Sequence, residues 1–327
     1  MDKLVAQFPK QIADAIEIAS RCEFSFYKNK TFKNVVICGM GGSGIGGKMV
    51  LQLFEGQANL PIVLVQNYLI PAFVDENTLV IGSSYSGNTE ETMSAVKLAK
   101  DKGATIVCVS SGGEMLQFCK DNNYESVKLP GGNPPRSMLA FSAVQLINIL
   151  AVAGIINGDA VDSIAKCRHL LNEELITIKD EAKKLATHLF NKHSVFYTDS
   201  GLEFVAIRAR QQINENSKQL CWHHIIPEMN HNELVGWAGG DDSFAAVFFV
   251  SQFLSDRNKK RTELTKEIVT KNNANVLTIV GKGKTVIEES FYFTHIIDWA
   301  SLYLAELNEV DAVEVRVIDY LKSTLDK

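Results

Sequence analysis

The sequence has no long apolar run and no excess of positive charge. No segment of the 327 residues is apolar for the length of a bilayer span, and the N-terminal MDKLVAQFPKQ lacks the uninterrupted apolar core of a signal peptide. The formal net charge is −5, and no dense run of Lys and Arg offsets it, which argues against a nucleic-acid binder. We therefore expect a soluble cytoplasmic protein that binds neither a membrane nor a nucleic acid.

Paired cysteines are also missing. None of the six cysteines forms a CxxC pair, and most lie in apolar runs, as buried thiols of a reducing compartment do. Hydrophobic residues make up 46% of the chain and charged residues 22%, which excludes a disordered class. The length allows two domains of ordinary size or one large α/β unit. The cysteines are Cys22, Cys38, Cys108, Cys119, Cys167 and Cys221.

Residues 83–92 (SSYSGNTEET) crowd hydroxyl groups between a predicted strand, residues 78–82, and a predicted helix, residues 93–100. Gly87 can take a positive φ, and the helix start offers free backbone N–H groups and the positive end of a dipole. This turn is therefore predicted to bind an anion. The alternative is an ordinary cap, in which Thr89 only satisfies the first turn of the helix. The hydroxyl side chains are Ser83, Ser84, Tyr85, Ser86 and Thr89.

A glycine loop, residues 39–47 (GMGGSGIGG), follows another predicted strand and contains two literal GxGxxG matches. The dinucleotide motif requires an acidic residue after the second strand, but residues 61–65 are followed by Gln-Asn. A P-loop interpretation from Gly42 fails because Met49 stands where the Mg²⁺-binding hydroxyl belongs. Neither nucleotide motif is complete, and the loop instead offers Ser43 and backbone N–H groups.

Strands alternate with helices along both halves of the chain, which predicts an α/β fold of two doubly wound parallel sheets in tandem. The pattern breaks near GIINGD, so we place the domain boundary between residues 153 and 154. In such sheets, ligands bind beyond the carboxyl ends of the strands, where both loops described above are expected. The predicted strands are residues 34–38, 61–65, 78–82, 105–109, 125–129, 193–198, 219–224, 244–250 and 276–280.

Other polar residues are ambiguous when taken singly. Arg136, in NPPRSMLA, lies at or near the first turn of a long apolar helix, where the dipole disfavours a cation. It could meet an anionic ligand or transition state, or form a structural salt bridge. Glu215 suits a solvated helix carboxylate, His231 a hydrogen-bonding or capping residue, and Lys322 a helix C-terminus.

A metal site is a weak further interpretation of the second half. His223, His224, Glu228 and His231 lie close together in the sequence, but their spacings match no zinc motif and no cysteine assists them.

Six motifs together resemble one family. GMGGSGIGG, SYSGNTEET, NPPRSMLA, NENSK, PEMNHNELVGW and the terminal IDYLK resemble, in this order, the bifunctional phosphoglucose/phosphomannose isomerases. These enzymes contain two sugar isomerase (SIS) domains. The resemblance implies a metal- and cofactor-free aldose–ketose isomerase of glycolysis and gluconeogenesis, converting glucose 6-phosphate, and mannose 6-phosphate as well, into fructose 6-phosphate. The rivals are an SIS protein that senses a sugar phosphate without turnover and, more distantly, an NAD-dependent oxidoreductase.

The resemblance also implies residue roles. Glu215 matches the base that moves a proton between C1 and C2, and Arg136 matches the group that stabilises the enediolate. His231 matches the residue that helps to open the pyranose ring, and Lys322 the lysine that assists it. In the family this histidine comes from the neighbouring subunit, which implies a homodimer. The residues matching the phosphate site are Gly42, Ser43, Ser84, Ser86 and Thr89.

One departure from the family pattern precedes the terminal helix. The family often has a sequence like DPTPVE there, whereas this chain has DAVEVR at residues 311–316. If Val313 replaces the threonine, a hydroxyl near the sugar is lost. This departure puts activity on both epimers in question, but not the isomerase class.

Overall fold

The computed structural model describes residues 1–272 and 275–325, which form two compact units. One unit comprises residues 7–172. The other begins with helix α1 (Asp2–Ala6) and continues from Glu173 to the end of the described chain.

The unit of residues 7–172 contains a sheet of five parallel strands. The strands are β1 (Asn34–Cys38), β2 (Ile62–Val65), β3 (Thr78–Ser83), β4 (Thr105–Ser110) and β5 (Glu125–Lys128). Their order in the sheet is β2-β1-β3-β4-β5. Val35, Val36 and Ile37 are fully buried, as expected for strands of a sheet that is covered on both faces.

Helices connect these strands and cover the sheet. They are α2 (Phe8–Ser20), α3 (Gly41–Phe54), α4 (Glu90–Asp101), α5 (Gly113–Asp121), α6 (Leu139–Val152) and α7 (Ala160–Glu173). Met93 and Val96 of α4 pack with Met115 of α5 in one hydrophobic cluster against the strands. The strand order reverses between the neighbouring strands β1 and β3. The turns that follow these strands and begin α3 and α4 therefore flank the crevice where such sheets bind ligands.

The other unit contains a sheet of four parallel strands. The strands are β6 (His193–Asp199), β7 (Cys221–Ile226), β8 (Phe244–Val250) and β9 (Asn275–Val280), in the order β7-β6-β8-β9. The remaining helices are α8 (Leu175–Leu189), α9 (Glu203–Ser217), α10 (Glu233–Gly236), α11 (Asp256–Lys271), α12 (Val286–Leu307) and α13 (Arg316–Leu325). The two parallel sheets confirm the predicted fold class.

The division between the units and the predicted domain boundary lie at different places in the chain. The compact units divide between Asn172 and Glu173, at the end of α7. The boundary predicted between residues 153 and 154 precedes α7, and it stays a prediction.

Strand β7 begins two residues later than the sequence predicts. Lys218 adopts a left-handed conformation (φ 54°) at the end of α9, which turns the chain out of the helix. The side-chain amide of Gln219 then donates to the carbonyl oxygens of Leu189 and Lys192, at 2.9 and 3.0 Å. Because these residues anchor the turn, the ladder starts only at Cys221.

The thiols are buried, as the sequence predicts, with Cys22 only partly so. Burial raises the pKa of Cys38 and of Cys221 to about 12, so both stay protonated and unreactive at neutral pH. Within the described ranges, no helix is both long enough and apolar enough to span a bilayer.

Candidate functional site

The glycine loop turns strand β1 directly into helix α3. Met40 is extended, and no side chain caps the first turn of the helix. A Cβ atom on Gly42 would lie 2.9 Å from the carbonyl oxygen of Pro135, so only glycine fits this contact. The free N–H groups and positive dipole end of α3 therefore lie at the carboxyl edge of the sheet.

The hydroxyl-rich turn joins strand β3 to helix α4. Gly87 has φ +76°, which confirms the predicted positive φ, and its N–H donates to Ser84 Oγ at 3.1 Å. Thr89 is the N-cap residue of α4, but its side chain makes no capping hydrogen bond. Its Oγ1 lies instead 2.9 Å from Ser84 Oγ. The first turn of α4 thus keeps its donors, which is not the ordinary cap considered above.

The two turns are bonded to each other. The backbone N–H of Tyr85 donates to Ser43 Oγ at 3.1 Å, which joins the second turn to the first turn of α3. The Tyr85 hydroxyl donates to the carbonyl oxygen of Pro130 at 2.8 Å. Tyr85 was counted among the hydroxyl residues of the predicted anion-binding turn, but the family resemblance gave it no role in the phosphate site. Ser43 and Ser84 are buried, while Ser86 is exposed at the rim.

Arg136 stands beside the glycine loop. It lies in a 3₁₀ turn, Pro135–Ser137, that precedes α6, so it is not in the first turn of that helix. Its backbone nitrogen would be 3.3 Å from a Cβ atom on Gly42, and the residue is only 6% exposed. A cation buried close to the N-terminus of α3 adds to the positive potential of that helix end. This arrangement favours an anion at this edge.

In the other unit, Glu215 lies half-buried near the end of α9, between anchored neighbours. Asn216 Nδ2 donates to Ser301 Oγ at 2.9 Å, and Ser217 Oγ donates to the Ser301 carbonyl at 2.7 Å. Lys218 Nζ donates to the backbone oxygen of Glu215 itself, at 2.8 Å. These bonds hold the backbone that carries the Glu215 carboxylate.

A buried ion pair fixes helix α9 against α12. Arg208 donates from Nε and from Nη2 to the two carboxylate oxygens of Asp298, at 3.0 and 2.7 Å. Gln212 Nε2 donates to the same carboxylate at 2.7 Å. The sequence analysis missed this pair, which the charge of Asp298 within an apolar helix could have indicated. Such bidentate pairs impose geometry, so this pair sets the rotation of the helix that carries Glu215.

His231 and Lys322 are both exposed. His231 ends a 3₁₀ turn, Glu228–His231, and its ring has no hydrogen-bond partner within the described ranges. It therefore does not cap a helix. Lys322 lies on α13, none of whose residues is buried. Glu215, His231 and Lys322 thus belong to one compact unit, and the predicted phosphate-binding residues and Arg136 to the other.

The metal interpretation finds no geometric support. His224 Nδ1 lies 2.7 Å from Glu233, and His223 Nε2 lies 3.7 Å from Glu203. Among the residues that the structure describes, no three His, Cys, Asp or Glu side chains are arranged to hold a metal ion.

Two family models match the chain. The model of the SIS domain matches residues 30–120, and the model of the bacterial phospho-glucose isomerase C-terminal SIS domain matches residues 178–325. The bifunctional phosphoglucose/phosphomannose isomerase of Aquifex aeolicus is 34% identical over 90% of this chain and 91% of its own length. The chain belongs to this family. The bifunctional phosphoglucose/phosphomannose isomerase of Caldicellulosiruptor bescii is also 34% identical, over 99% of this chain and 98% of its own.

Membership of the bifunctional phosphoglucose/phosphomannose isomerase family confirms the resemblance drawn from the motifs, and with it the prediction of an isomerase. A solved structure supports the fold. The C-terminal domain of glucosamine-fructose-6-phosphate aminotransferase from Francisella tularensis superposes with a TM-score of 0.75, covering 96% of this chain and 97% of that one at 15% identity. The roles of the individual residues stay predictions.

Proposed function

We propose that this protein interconverts glucose 6-phosphate and mannose 6-phosphate with fructose 6-phosphate. The observation that carries this proposal is the joined pair of uncapped helix starts in a member of the isomerase family. Two helix N-termini with hydroxyl groups between them suit a phosphate dianion better than a neutral ligand.

Each polar residue then has one chemical role. The phosphate is held by Ser43, Ser86 and Thr89, with backbone N–H groups from α3 and α4 and with Ser84 supporting the turn. The Glu215 carboxylate removes the proton from C2 of the open-chain aldose and returns it to C1. Charge that develops on the enediolate oxygens is stabilised by the Arg136 guanidinium.

Ring opening must precede this proton transfer, because the sugar phosphates are mostly cyclic. His231 is proposed to move a proton at the ring oxygen, with Lys322 assisting. The exposure of His231 and its lack of a partner in the described parts of the chain support delivery to the site of a second subunit. The exposed apolar residues of α13, among them Val317 and Tyr320, also suit a contact, and the enzyme is accordingly proposed to be a cytoplasmic homodimer.

The test is production of fructose 6-phosphate from each substrate separately, with EDTA present. Turnover of both substrates supports a metal-independent bifunctional isomerase. Turnover of glucose 6-phosphate alone would narrow the proposal and point to Val313, which lies 48% exposed before α13. Tight binding without turnover of either substrate would contradict the proposal and favour the sensor.

Mixed dimers test whether His231 acts across subunits. Glu215→Gln and His231→Ala subunits, each strongly impaired alone, are unfolded together and refolded at equal concentration. One site of each heterodimer then combines Glu215 of one subunit with His231 of the other. With random pairing, about a quarter of the wild-type activity returns. No recovery, with heterodimers demonstrated by mass, would place both residues in one subunit's site.

Thr89→Ala is expected to weaken phosphate binding. The substitution removes one hydroxyl from the turn, and a hydrogen bond to a charged group contributes about 1.5–3 kcal/mol, so KM should rise at least about tenfold. The value of kcat should change much less, because the hydroxyl contacts phosphate in ground and transition states alike. Thr270→Ala, on the exposed face of α11, serves as the matched control. An unchanged KM for Thr89→Ala would argue against this pocket.

A further inference from the structure

The segment that carries His231, residues 227–240, lies over one face of the second sheet and is anchored mainly by two buried apolar side chains. Met229 is fully buried and Trp237 nearly so, and both pack in the cluster that includes Tyr197 of β6. Between these anchors, His231 is exposed. The position of its imidazole therefore depends on how firmly the backbone between Met229 and Trp237 is held.

Glu233 is the polar anchor of this stretch. One carboxylate oxygen accepts a hydrogen bond from the Tyr197 hydroxyl, and the other lies 2.7 Å from His224 Nδ1. Tyr197 and His224 are paired in register on the neighbouring strands β6 and β7, so their side chains share one face of the sheet. A single carboxylate thus spans both strands.

Tyr197 completes the anchor. Its hydroxyl accepts from Trp237 Nε1 at 2.9 Å and donates to Glu233. Burial, followed by the negative charge of Glu233, raises the pKa of Tyr197 far above its ordinary value, so the hydroxyl keeps the proton that it donates. Glu233 and Trp237 are four residues apart and lie on one side of the short helix α10 and its continuation. Both side chains can therefore form a hydrogen bond with the Tyr197 hydroxyl.

The residues beside His231 are also tied. Asn230 Nδ2 donates to Thr265 Oγ1 of α11 at 2.8 Å. Asn232 Oδ1 accepts from the backbone N–H of Glu233 at 2.6 Å, and Asn232 Nδ2 donates to Glu228 at 2.9 Å. His231 is thus an unpaired residue, within the described chain, between engaged neighbours. This is the arrangement expected of a residue that is presented to something outside its own unit.

We propose that Glu233 is a positioning residue for His231: its carboxylate, clamped by Tyr197 and His224, holds the 227–240 segment so that the imidazole is presented at a fixed place. The inference rests on the proposed function, since it requires His231 to take part in ring opening. Glu233 itself does not touch substrate in this scheme. It acts through geometry, and small displacements of a catalytic group are costly, on the order of 10²-fold for about 1 Å.

A double-mutant cycle in the full-length enzyme tests the inference. The variants are Glu233→Ala, Glu233→Gln and His231→Ala, with the two double variants, and kcat and KM for glucose 6-phosphate are measured for each. Glutamine keeps one oxygen for the Tyr197 hydroxyl and one N–H group for His224, so it can rebuild the clamp. Glu263→Gln changes an exposed carboxylate on α11 that pairs with Lys266 at 3.2 Å, and it is the matched control.

If Glu233 positions His231, Glu233→Ala lowers kcat on the order of tenfold with KM nearly unchanged, and Glu233→Gln restores most of it. In the His231→Ala background, Glu233→Ala should have almost no further effect, because the group that it positions is gone. An equal loss in both backgrounds would overturn the inference while leaving the role of His231 intact. Wild-type kcat in His231→Ala would overturn both the positioning role of Glu233 and the role of His231 in ring opening. The kcat of Glu215→Gln would then show whether the proposed isomerisation mechanism still holds.

Discussion

Glu215→Gln should abolish isomerisation while sparing ligand binding. Glutamine is nearly isosteric with glutamate but cannot accept the proton from C2. General base catalysis contributes about 10²–10⁴-fold, so kcat should fall by about that factor. The fold should survive, because the neighbouring contacts of Asn216 and Ser217 with α12 do not involve the carboxylate. Affinity for fructose 6-phosphate, measured by calorimetry, should stay within about threefold of wild type.

Proton exchange separates a lost base from a general loss of activity. Wild-type enzyme should incorporate deuterium from D₂O into the sugar phosphates at equilibrium, and Glu215→Gln should not. Glu263→Gln again serves as the control, since an exposed ion pair of this kind contributes little to stability or activity. Substantial turnover by Glu215→Gln would rule out Glu215 as the base. The presence of this carboxylate would then no longer distinguish an isomerase from a sensor.

Arg136→Ala should give the second-largest loss. The guanidinium is proposed to stabilise charge that is present only once the enediolate forms, and removal of one such donor costs about 10²–10³-fold in kcat. Arg136→Lys should recover only part of this loss, because an ammonium keeps the charge but not the planar fork. Both kcat and KM are measured for glucose 6-phosphate, and KM should rise by a smaller factor than kcat falls.

The control for this prediction must separate catalysis from packing, since Arg136 is buried against the glycine loop. Arg168→Ala removes an exposed arginine from α7 of the same unit and should leave kcat unchanged. Thermal unfolding of Arg136→Ala, with and without fructose 6-phosphate, reports whether the fold and the ligand site remain. A lower melting temperature with full kcat at assay temperature would favour the structural salt bridge.

The sequence predicted most of the sheet because the strands are short apolar runs bounded by glycine and hydroxyl turns. Strand β1 and strand β8 have the predicted bounds, and β3 and β4 extend one residue beyond them. The start of β7, which moved by two residues, depends on side-chain bonds to a distant part of the chain. Gln219, for example, bonds to the chain near Leu189 and delays the start of β7, which no local pattern could indicate.

The candidate site divides in the same way. The hydroxyl and glycine content of residues 83–92 was enough to predict that they suit an anion. This prediction depends only on the backbone N–H donors that the helix start of any such strand–turn–helix exposes. Only the tertiary structure decided that Thr89 faces Ser84 and does not cap α4, because both conformations are locally allowed.

Contacts between distant residues decided the remaining features of the fold and of the candidate site. The sequence by itself determined the two-sheet class and, through its motifs, the family, and it predicted that two turns bind an anion. The tertiary structure alone joined Tyr85 to Ser43, paired Arg208 with Asp298 and clamped Glu233 between two strands. Apart from the His224–Glu233 contact, these contacts connect residues that are tens of positions apart. Burial makes a polar partner necessary without specifying which residue supplies it.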